Sequence, residues 1–543
     1  MSFIYKAIKF FKDKFLQFKI WDIGAILLFA INMIGILYFD FSDLRLSLDP
    51  DFAVTVYHLR EMVDSGTPVL RDWFATTSME YDSVILFAAP IYALTGNEFF
   101  SVGLANLMIV ILYIFVIWNI FSALRVNYGI RLLTLSVIIT PYSYDWLDYF
   151  KMLFFAHANY SIKAIIPLLL ILCLIAFDDG EYAGVFSNRK RNTFLGIYLS
   201  LLFVTCASTG IYTIACGLAP IFIIRVISFW KRGNVFRPSS LPVWLGSGVV
   251  AATGVFTYKL IYTGFSPVTS LVKFGEFAEN FRQVFVGVFQ VFGALISGEV
   301  PVFSMMGIYY CLKICFVISI FILTILAFVR WLRGVKNYDY YIPFFSVIVL
   351  NLLILILGDM RAGNDFIPYR YLLIGIPVLL TGLGIMLQRY VDTHRPVQGA
   401  TVMMALILVF SYILAGNFKI TKENMMNKDY IVDMTDYFKT LDADTVFIMD
   451  DKDTALMCKS VDDSKKYACV NSEEENITLE INYYNDEKDF DYYGDKNIIA
   501  IPNYNKLTDY VPEDVASNYT YVGEARWLAC YRSDTNYFKE KEG

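Results

Sequence analysis

Apolar runs of about twenty residues recur along the first four hundred residues of this chain, and nothing else constrains its fold as strongly. A helix rises about 1.5 Å per residue, so a run of that length matches the roughly 30 Å of hydrocarbon in a bilayer. Lipid offers the backbone no hydrogen-bond partners, so such runs fold as helices that satisfy their own amides. With 57% apolar and only 18% charged residues, and a mean hydropathy of +0.51, the chain reads as a polytopic membrane protein rather than a soluble enzyme with a large core. Hydrophobic helices are expected near 21–39, 99–121, 130–143, 158–177, 194–209, 211–229, 241–262, 306–329, 341–357, 370–387 and 399–416, eleven in all. The stretch 194–229 is too long for one span, and reads as a tight hairpin broken near Ser208-Thr209-Gly210.

Charge divides the chain in two. Residues 417–543 carry 27 acids against 15 bases, whereas residues 1–416 carry 24 acids against 30 bases. The break separates a membrane domain over 21–416 from a soluble acidic domain over 417–543. Residues 1–20 alternate Lys6, Lys9, Lys12, Lys14 and Lys19 with Phe and Ile, and read as an interfacial amphipathic helix rather than a cleavable signal. Lys and Arg favour the cytoplasmic side of short loops. An N-terminus inside places Arg125/Arg131, Arg189-Lys190-Arg191, Lys231-Arg232, Arg330/Arg333/Lys336 and Arg389/Arg395 in the cytoplasm. An odd number of spans then puts the acidic tail outside the cell membrane.

The same arithmetic narrows function. A net charge of −6 argues against nucleic acid as a partner. Three histidines and eight scattered cysteines with no C-x-x-C pair argue against zinc, haem or iron–sulfur chemistry, and no P-loop is present. Gly246-x-Gly248 lies in an apolar run and reads as helix packing, not a nucleotide loop.

The informative loops all face outward in this arrangement. Residues 40–98 are too long for a simple connection. Within them Asp51 to Ser65 reads as an amphipathic helix, with Phe52, Val56, Leu59 and Val63 at helical spacing, and 83–95 as a second short apolar segment. A second loop carries Tyr142-Ser-Tyr-Asp145-Trp-Leu-Asp148-Tyr and leads to His157-Ala-Asn159-Tyr160. A third, 263–305, contains an amphipathic stretch from Val268 to Leu295, and a fourth holds Arg361, Asp365 and Tyr369-Arg370-Tyr371. Ionisable groups near the membrane are expensive and therefore informative. Here Asp49, Asp51, Asp145, Asp148, His157, Lys163, Arg361 and Arg370 gather at one face. Acids there can act as bases, and Arg, Lys and His can hold a phosphate.

Asp49-Pro-Asp51-Phe-Ala53, Leu59-Arg60-Glu61-Met62, Ser65-Gly66-Thr-Pro68 and Asp72-Trp73, followed by Pro90-Ile-Tyr-Ala-Leu-Thr-Gly96, form a recognisable pattern. It resembles the first outer loop of the GT-C superfamily of membrane glycosyltransferases, which includes the protein O-mannosyltransferases and the bacterial transferases that add aminoarabinose to lipid A. The match is specific over residues 40–125, architectural for the rest of the membrane domain and nearly silent for the tail. Many relatives have adjacent acids, whereas Pro50 separates Asp49 from Asp51 here, so the general base is Asp51 or Asp49.

The resemblance implies an all-α GT-C-like membrane domain with a soluble extracytoplasmic tail, and the helical face and strands of residues 417–543 make that tail a small α/β domain. It also implies an inverting transfer of a sugar from a polyprenyl-phosphate donor to an extracytoplasmic acceptor. A loop carboxylate would take the acceptor proton, and Arg370, Arg361, His157 and Lys163 are the candidates to hold the donor phosphate. Tyr369, Tyr371, Asp145, Asp148, Arg60 and Glu61 are the candidates for other substrate contacts. Metal dependence varies within the superfamily; a divalent metal is compatible with the resemblance, but no clean carboxylate cage is visible.

Each signal has a plainer reading. Asp49 and Asp51 can cap the loop helix. Arg60-Glu61 can be a solvated face, Lys163 can snorkel, His157 can simply sit at the interface, and Arg370 between tyrosines can be an interfacial anchor. A transporter or flippase of lipid-linked saccharides is the alternative function, disfavoured by the lack of internal repeats. A structural or sensory membrane protein is the third, and it leaves the acid-bearing loop without a task. In the tail, Ile431, Met434, Phe438 and Leu441 fit one helical face, and strands are expected from Asp444, over Lys466–Val470, over Asn497–Ile501 and within Tyr519–Tyr531. Asp450-Asp451-Lys-Asp453 reads as a solvated turn in preference to a calcium loop. Cys458, Cys469 and Cys530 leave room for one disulfide whose pairing spacing does not fix.

Overall fold

The computed structural model describes residues 19–70, 73, 78–142, 149–232, 238–262, 270–296, 298–335, 337–359, 369–472, 478–479 and 490–539. The amphipathic stretch 1–18, Asp145, Asp148 and Arg361 lie outside them. In chain order come α1 (Ile20–Phe41), α2 (Pro50–Asp64), α3 (Ile85–Thr95), α4 (Glu98–Ala123), α5 (Tyr128–Ile139), α6 (Tyr149–Phe154), α7 (Ser161–Ala176) and α8 (Asn188–Thr209). Then follow α9 (Ala219–Arg232), α10 (Leu241–Ile261), α11 (Phe277–Val291), α12 (Met305–Leu332), α13 (Tyr338–Leu357), α14 (Ile376–Thr393) and α15 (Pro396–Met425). Eight of the described helices are long and apolar enough to cross a membrane by length and composition. Three of the eleven expected spans correspond to helices outside that set. α5 has 12 residues and α7 has 16, and α14 closes on Gln388, Arg389 and Asp392.

The chain divides into two compact units. The first comprises residues 1–39, 107–258 and 267–421. Its most enclosed element is α7, buried along its whole length. A helix that is apolar all round has no face to offer water and goes to the middle of a bundle; α6, α8 and α14 pack against it. The hairpin break expected near residue 210 is present. α8 ends at Thr209, and Gly210 takes φ +62°, a conformation that favours glycine. α8 also meets α10 through small residues: Gly246 faces Leu199, and a side chain at Gly254 would meet Cys206 Cβ at 2.5 Å. Gly248 faces open space, so only one half of the Gly246-x-Gly248 pair serves packing.

Polar side chains pin this bundle where lipid provides no partners. Asn32 on α1 donates to the Ser136 carbonyl at 2.7 Å, and Lys313 on α12 donates to Asn417 on α15 at 3.1 Å. The third and fourth loops are joined by a two-residue antiparallel pairing of β1 (Ser270–Leu271) with β2 (Gly358–Asp359). Beside it, Asn280 on α11 donates to the Leu355 and Ile356 carbonyls, which α13 leaves open at its C-terminus.

The second unit comprises residues 40–106, 259–266 and 422–543, so the long first loop and the acidic tail fold together. The expected boundary at 416/417 falls inside the unbroken helix α15. After α15 come α16 (Asp429–Thr440), β3 (Thr445–Met449), α17 (Lys452–Val461), β4 (Lys466–Asn471), β5 (Thr478–Leu479), β6 (Asn497–Pro502), β7 (Thr520–Ala525) and β8 (Leu528–Ser533). The strands form one sheet in the order β5-β4-β3-β6-β8-β7, with β3 parallel to both β4 and β6 and the other pairs antiparallel. β3 is buried at all five positions, as a central parallel strand covered on both faces should be. Phe447, Val470, Phe490, Ile499 and Phe538 form the core beside it. Ile431, Met434 and Phe438 are buried on one face of α16, as their spacing predicts. Asp451 caps α17 by accepting from the Thr454 amide, and Asp450 accepts from Ser472, so the acidic turn is structural. Cys458 and Cys530 are free thiols.

The tight approach at Gly254 sets a test. Gly254→Ala should lower the melting temperature of the detergent-solubilised protein by a few degrees, on the scale of about 1–3 kcal/mol for overpacking. Gly248→Ala should leave it unchanged or slightly raised, because alanine is the better helix former.

Candidate active site

Asp49 and Asp51 fall in the second unit, and His157, Lys163 and Arg370 in the first. In the second unit, α2 starts at Asp49, whose extended backbone and carboxylate form the N-cap: Asp49 Oδ1 accepts from the Phe52 amide at 2.7 Å. Pro50 follows at the first helical position, where a missing amide hydrogen does no harm. Asp51 is half-buried in the first turn, at the positive end of the helix macrodipole, where negative charge is favoured.

Thr55 and His58 continue the face of α2 that begins at Asp51, at the i+4 and i+7 positions. Thr55 Oγ1 donates to the Asp51 carbonyl at 2.9 Å and lies 3.4 Å from Glu80 Oε2. Glu80 has φ +56°, a left-handed conformation that costs a non-glycine residue about 1–3 kcal/mol and concentrates at functional positions. A second carboxylate is thus held one helical turn from Asp51. Nothing in the local sequence pattern marks Glu80, whereas the face shared by Asp51, Thr55 and His58 follows from spacing alone.

His58 is buried and its ring stacks on Trp73, with centroids 4.4 Å apart and planes at 13°. Burial pushes its pKa down to about 3, so the imidazole is neutral at physiological pH. Tyr81 flanks the same ring at 5.9 Å, and burial raises its phenol to about 12. Trp73 of the Asp72-Trp73 pair therefore packs α2 through Tyr57 and His58.

Arg60 points to the other side of α2. Its Nε pairs with Glu98 Oε1 at 2.6 Å, and its two Nη atoms donate to the Lys459 and Ser460 carbonyls at 3.2 and 2.9 Å. Arg60 is thus held inside the unit, on the face of α2 away from Asp51. Glu61 is half-buried beside it.

The first unit brings two of the expected cations into one cluster. Between α6 and α7 the chain turns sharply, with Ala156 at φ +53° and Ala158 at φ +43° on either side of His157. His157 is wholly buried in that turn. Lys163, one turn into α7, is buried; its Nζ donates to the Asn159 carbonyl at 2.5 Å and lies 5.3 Å from the Tyr160 ring centre. Arg370 sits in the 3₁₀ turn Tyr369–Leu372 before α14, with its guanidinium 5.7 Å from the Tyr371 ring. Between them stands Tyr212, from the α8–α9 hairpin, edge-to-face with Tyr160 at 6.5 Å and Tyr371 at 6.0 Å.

Lys163, Tyr160, Tyr212, Tyr371 and Arg370 thus form a continuous cation–aromatic chain. The Tyr212 hydroxyl is buried with no hydrogen-bond partner among the described residues. A phenol O–H is a hydrogen-bond donor, so Tyr212 has a proton to offer. A buried, unpaired donor in a row of rings with a cation at each end is an arrangement able to receive an anionic group such as a phosphate. Tyr212 escaped sequence reasoning because nothing distinguishes it from the other hairpin residues until the fold brings it to residues 160 and 371. The side chain of Tyr369 is not described. Lys151 on α6 is a further buried lysine that the sequence did not single out. Among the described residues no group of three or more His, Cys, Asp and Glu side chains is placed to hold a metal.

No protein-family model and no curated protein matches the chain. Among solved structures it is similar to ArnT from Cupriavidus metallidurans in the apo state, at 12% identity, over 94% of this chain and 98% of that one, with a TM-score of 0.45. It is likewise similar to the same protein bound to undecaprenyl phosphate, at 12% identity, over 93% and 97% of the two chains, with a TM-score of 0.43.

The neutral state of His58 makes stability pH-dependent. Its folded pKa of about 3 lies below the unfolded value of 6.5, so the unfolded chain binds the extra proton first. Stability from this group is complete above pH 6.5 and is lost as pH falls toward 3, at up to roughly 1.4 kcal/mol per pH unit. Melting temperatures measured from pH 7 to pH 5 should fall for the wild type and fall less for His58→Phe, which keeps an aromatic ring against Trp73.

Proposed function

We propose that this multi-pass membrane protein is a glycosyltransferase that moves a sugar from a polyprenyl-phosphate donor to an acceptor hydroxyl outside the cell membrane, with inversion at the anomeric carbon. The observation that carries the reading is the Lys163–Tyr160–Tyr212–Tyr371–Arg370 cluster, whose buried Tyr212 hydroxyl is left for a ligand to meet. The resemblance of residues 40–125 to the GT-C first loop supplies the reaction class.

The acceptor oxygen attacks the anomeric carbon and forms the new glycosidic bond as the bond from that carbon to the phosphate oxygen breaks. Asp51 takes the acceptor proton. Asp49 is the weaker candidate because one of its oxygens is bound to the Phe52 amide. The leaving group is a phosphate monoester already anionic, so it needs charge stabilisation, not protonation. Arg370 offers a planar fork, Lys163 a compact charge and Tyr212 a neutral donor. In the proposed orientation the basic loops lie in the cytoplasm and the second unit, with its acidic tail from 417 to 543, lies outside. The acceptor is a cell-envelope polymer, a lipid or a protein.

The test is transfer by the purified protein in lipid nanodiscs from an undecaprenyl-phosphate sugar to an envelope-derived acceptor. Asp51→Asn should lower kcat about 10²–10⁴-fold, the range for loss of a general base. Asp49→Asn keeps a capping side chain and should cost much less. Arg370→Ala and Tyr212→Phe should both weaken donor use, with the larger loss at Arg370. Unchanged transfer by Asp51→Asn would remove it as the base, and movement of the lipid-linked sugar across the bilayer without transfer would favour a flippase.

A further inference from the structure

Arg60 is engaged at three of its nitrogens, and its partners come from two other helices, α4 and α17. On α2, Ala53, Tyr57, Arg60 and Asp64 fall on one stripe, and Asp51, Thr55, His58 and Met62 on the opposite one. The helix therefore has two working faces. The Arg60 face meets α17 of the C-terminal α/β domain. Lys459 and Ser460 lie in the last turn of α17, where helix carbonyls lack intrahelical partners. Their carbonyls accept from Arg60 at 3.2 and 2.9 Å, so the guanidinium caps the negative end of α17. Its Nε pairs at 2.6 Å with Glu98, in the first turn of α4. The side chains of Arg60 and Glu98 are only 10% and 17% exposed, so the pair is little screened by solvent. Lys459 returns the contact, with its Nζ 4.1 Å from the Tyr57 ring centre.

We infer that Arg60 is a positioning residue: it fixes α2, and with it Asp51, to the C-terminal domain, so that the domain is a working part of the catalytic loop rather than an appendage. The inference rests on the transferase reading. α2 is a rigid rod of fifteen residues capped at Asp49, so a shift at Arg60 is carried to Asp51 two and a half turns away. Displacement of a reacting group by about 1 Å can cost on the order of 10²-fold in rate. A contact remote from Asp51 can thus control kcat without touching substrate.

The experiment compares wild type, Arg60→Ala, Arg60→Lys and Glu98→Gln in nanodiscs. It measures kcat, KM for donor and acceptor, and hydrogen–deuterium exchange over residues 50–64. Arg60→Ala should lower kcat by about tenfold to 10²-fold with both KM values held within about twofold, and α2 amides should exchange faster. Arg60→Lys keeps the Glu98 pair but not the fork to both carbonyls, and should fall between the two. Should Arg60→Ala fail to fold, Glu98→Gln carries the test, with a smaller change in the same direction. A raised KM at unchanged kcat would make Arg60 a substrate contact and overturn the inference. Faster exchange in α2 with kcat unchanged would make it merely structural and also overturn it. Lack of transfer by the wild type would instead overturn the transferase reading, while exchange would still report whether Arg60 docks α2.

Discussion

A guanidinium taken out of water must be met on most of its N–H bonds, and in this protein the way Arg60 is met ties α2, α4 and α17 of the second unit together. Desolvating such an ion costs several kcal/mol. Glu98 offsets the charge, and two helix-terminal carbonyls accept the forked donors. Those carbonyls needed partners in any case, because the end of α17 leaves them open. One side chain thereby settles three local deficits: its own charge, the acid at the start of α4 and the C-terminus of α17. The Leu46 carbonyl, which accepts from the Lys428 amide at 3.0 Å, adds a backbone link between the same two segments. The first loop of nearly sixty residues also packs α2 against α17 of the tail.

The membrane unit is organised by a comparable constraint around α7. A helix buried on every side has no water for a charged group, so Lys163 must find its partner in protein. It finds it in the Asn159 carbonyl four residues back, at the start of the same helix. That carbonyl is presented by a turn in which Ala156 and Ala158 both occupy the left-handed region, at an expense of about 1–2 kcal/mol each. Backbone amides in the turn bond back to Lys151 and Met152 of α6, which holds the strained geometry in place. The aromatic ladder of Tyr160, Tyr212 and Tyr371 then joins this lysine to Arg370, from a turn more than two hundred residues later in the chain. Backbone strain at Ala156 and Ala158 and the burial of Lys163 thus fall at one end of this ladder, with Arg370 at the other.

What the sequence makes legible is what short-range physics determines. Eight of the eleven expected spans, the break at Gly210, the loop helix expected from Asp51 to Ser65 and the strand positions of the tail follow from hydrophobic period, capping residues and turn chemistry. The charge break at residue 416 marks a change of solvent, yet α15 runs through it to Met425, because a helix does not need to end where the membrane does. Capping was already a rival reading for Asp49, and the structure has it capping. The partners of Arg60 were not legible: Lys459 and Ser460 are four hundred residues away and contribute backbone, which carries no sequence signal. Tyr212, Glu80 and the burial of His157 belong to the same class, since each depends on which elements become neighbours. Composition cannot distinguish α7 from the other apolar helices, so the depth of Lys163 was hidden too.

The two acids of the loop illustrate how helix geometry divides labour between similar groups. A side chain at the N-cap reaches forward to the amides of the next turn, and Asp49 does so. Asp51 stands at the second helical position, where its own backbone is already helical and its side chain leaves the axis sideways. Only one of the two can cap, and Pro50 between them fixes which, because its ring is favoured at the first helical position and not before it. Moving the helix start forward to Asp51 would forfeit the proline at N1 and the bond to Phe52; moving it back would put Pro50 in the interior of the first turn. Adjacent acids would leave that choice open. The intervening proline closes it, committing Asp49 to the backbone and leaving to Asp51 the face it shares with Thr55 and His58.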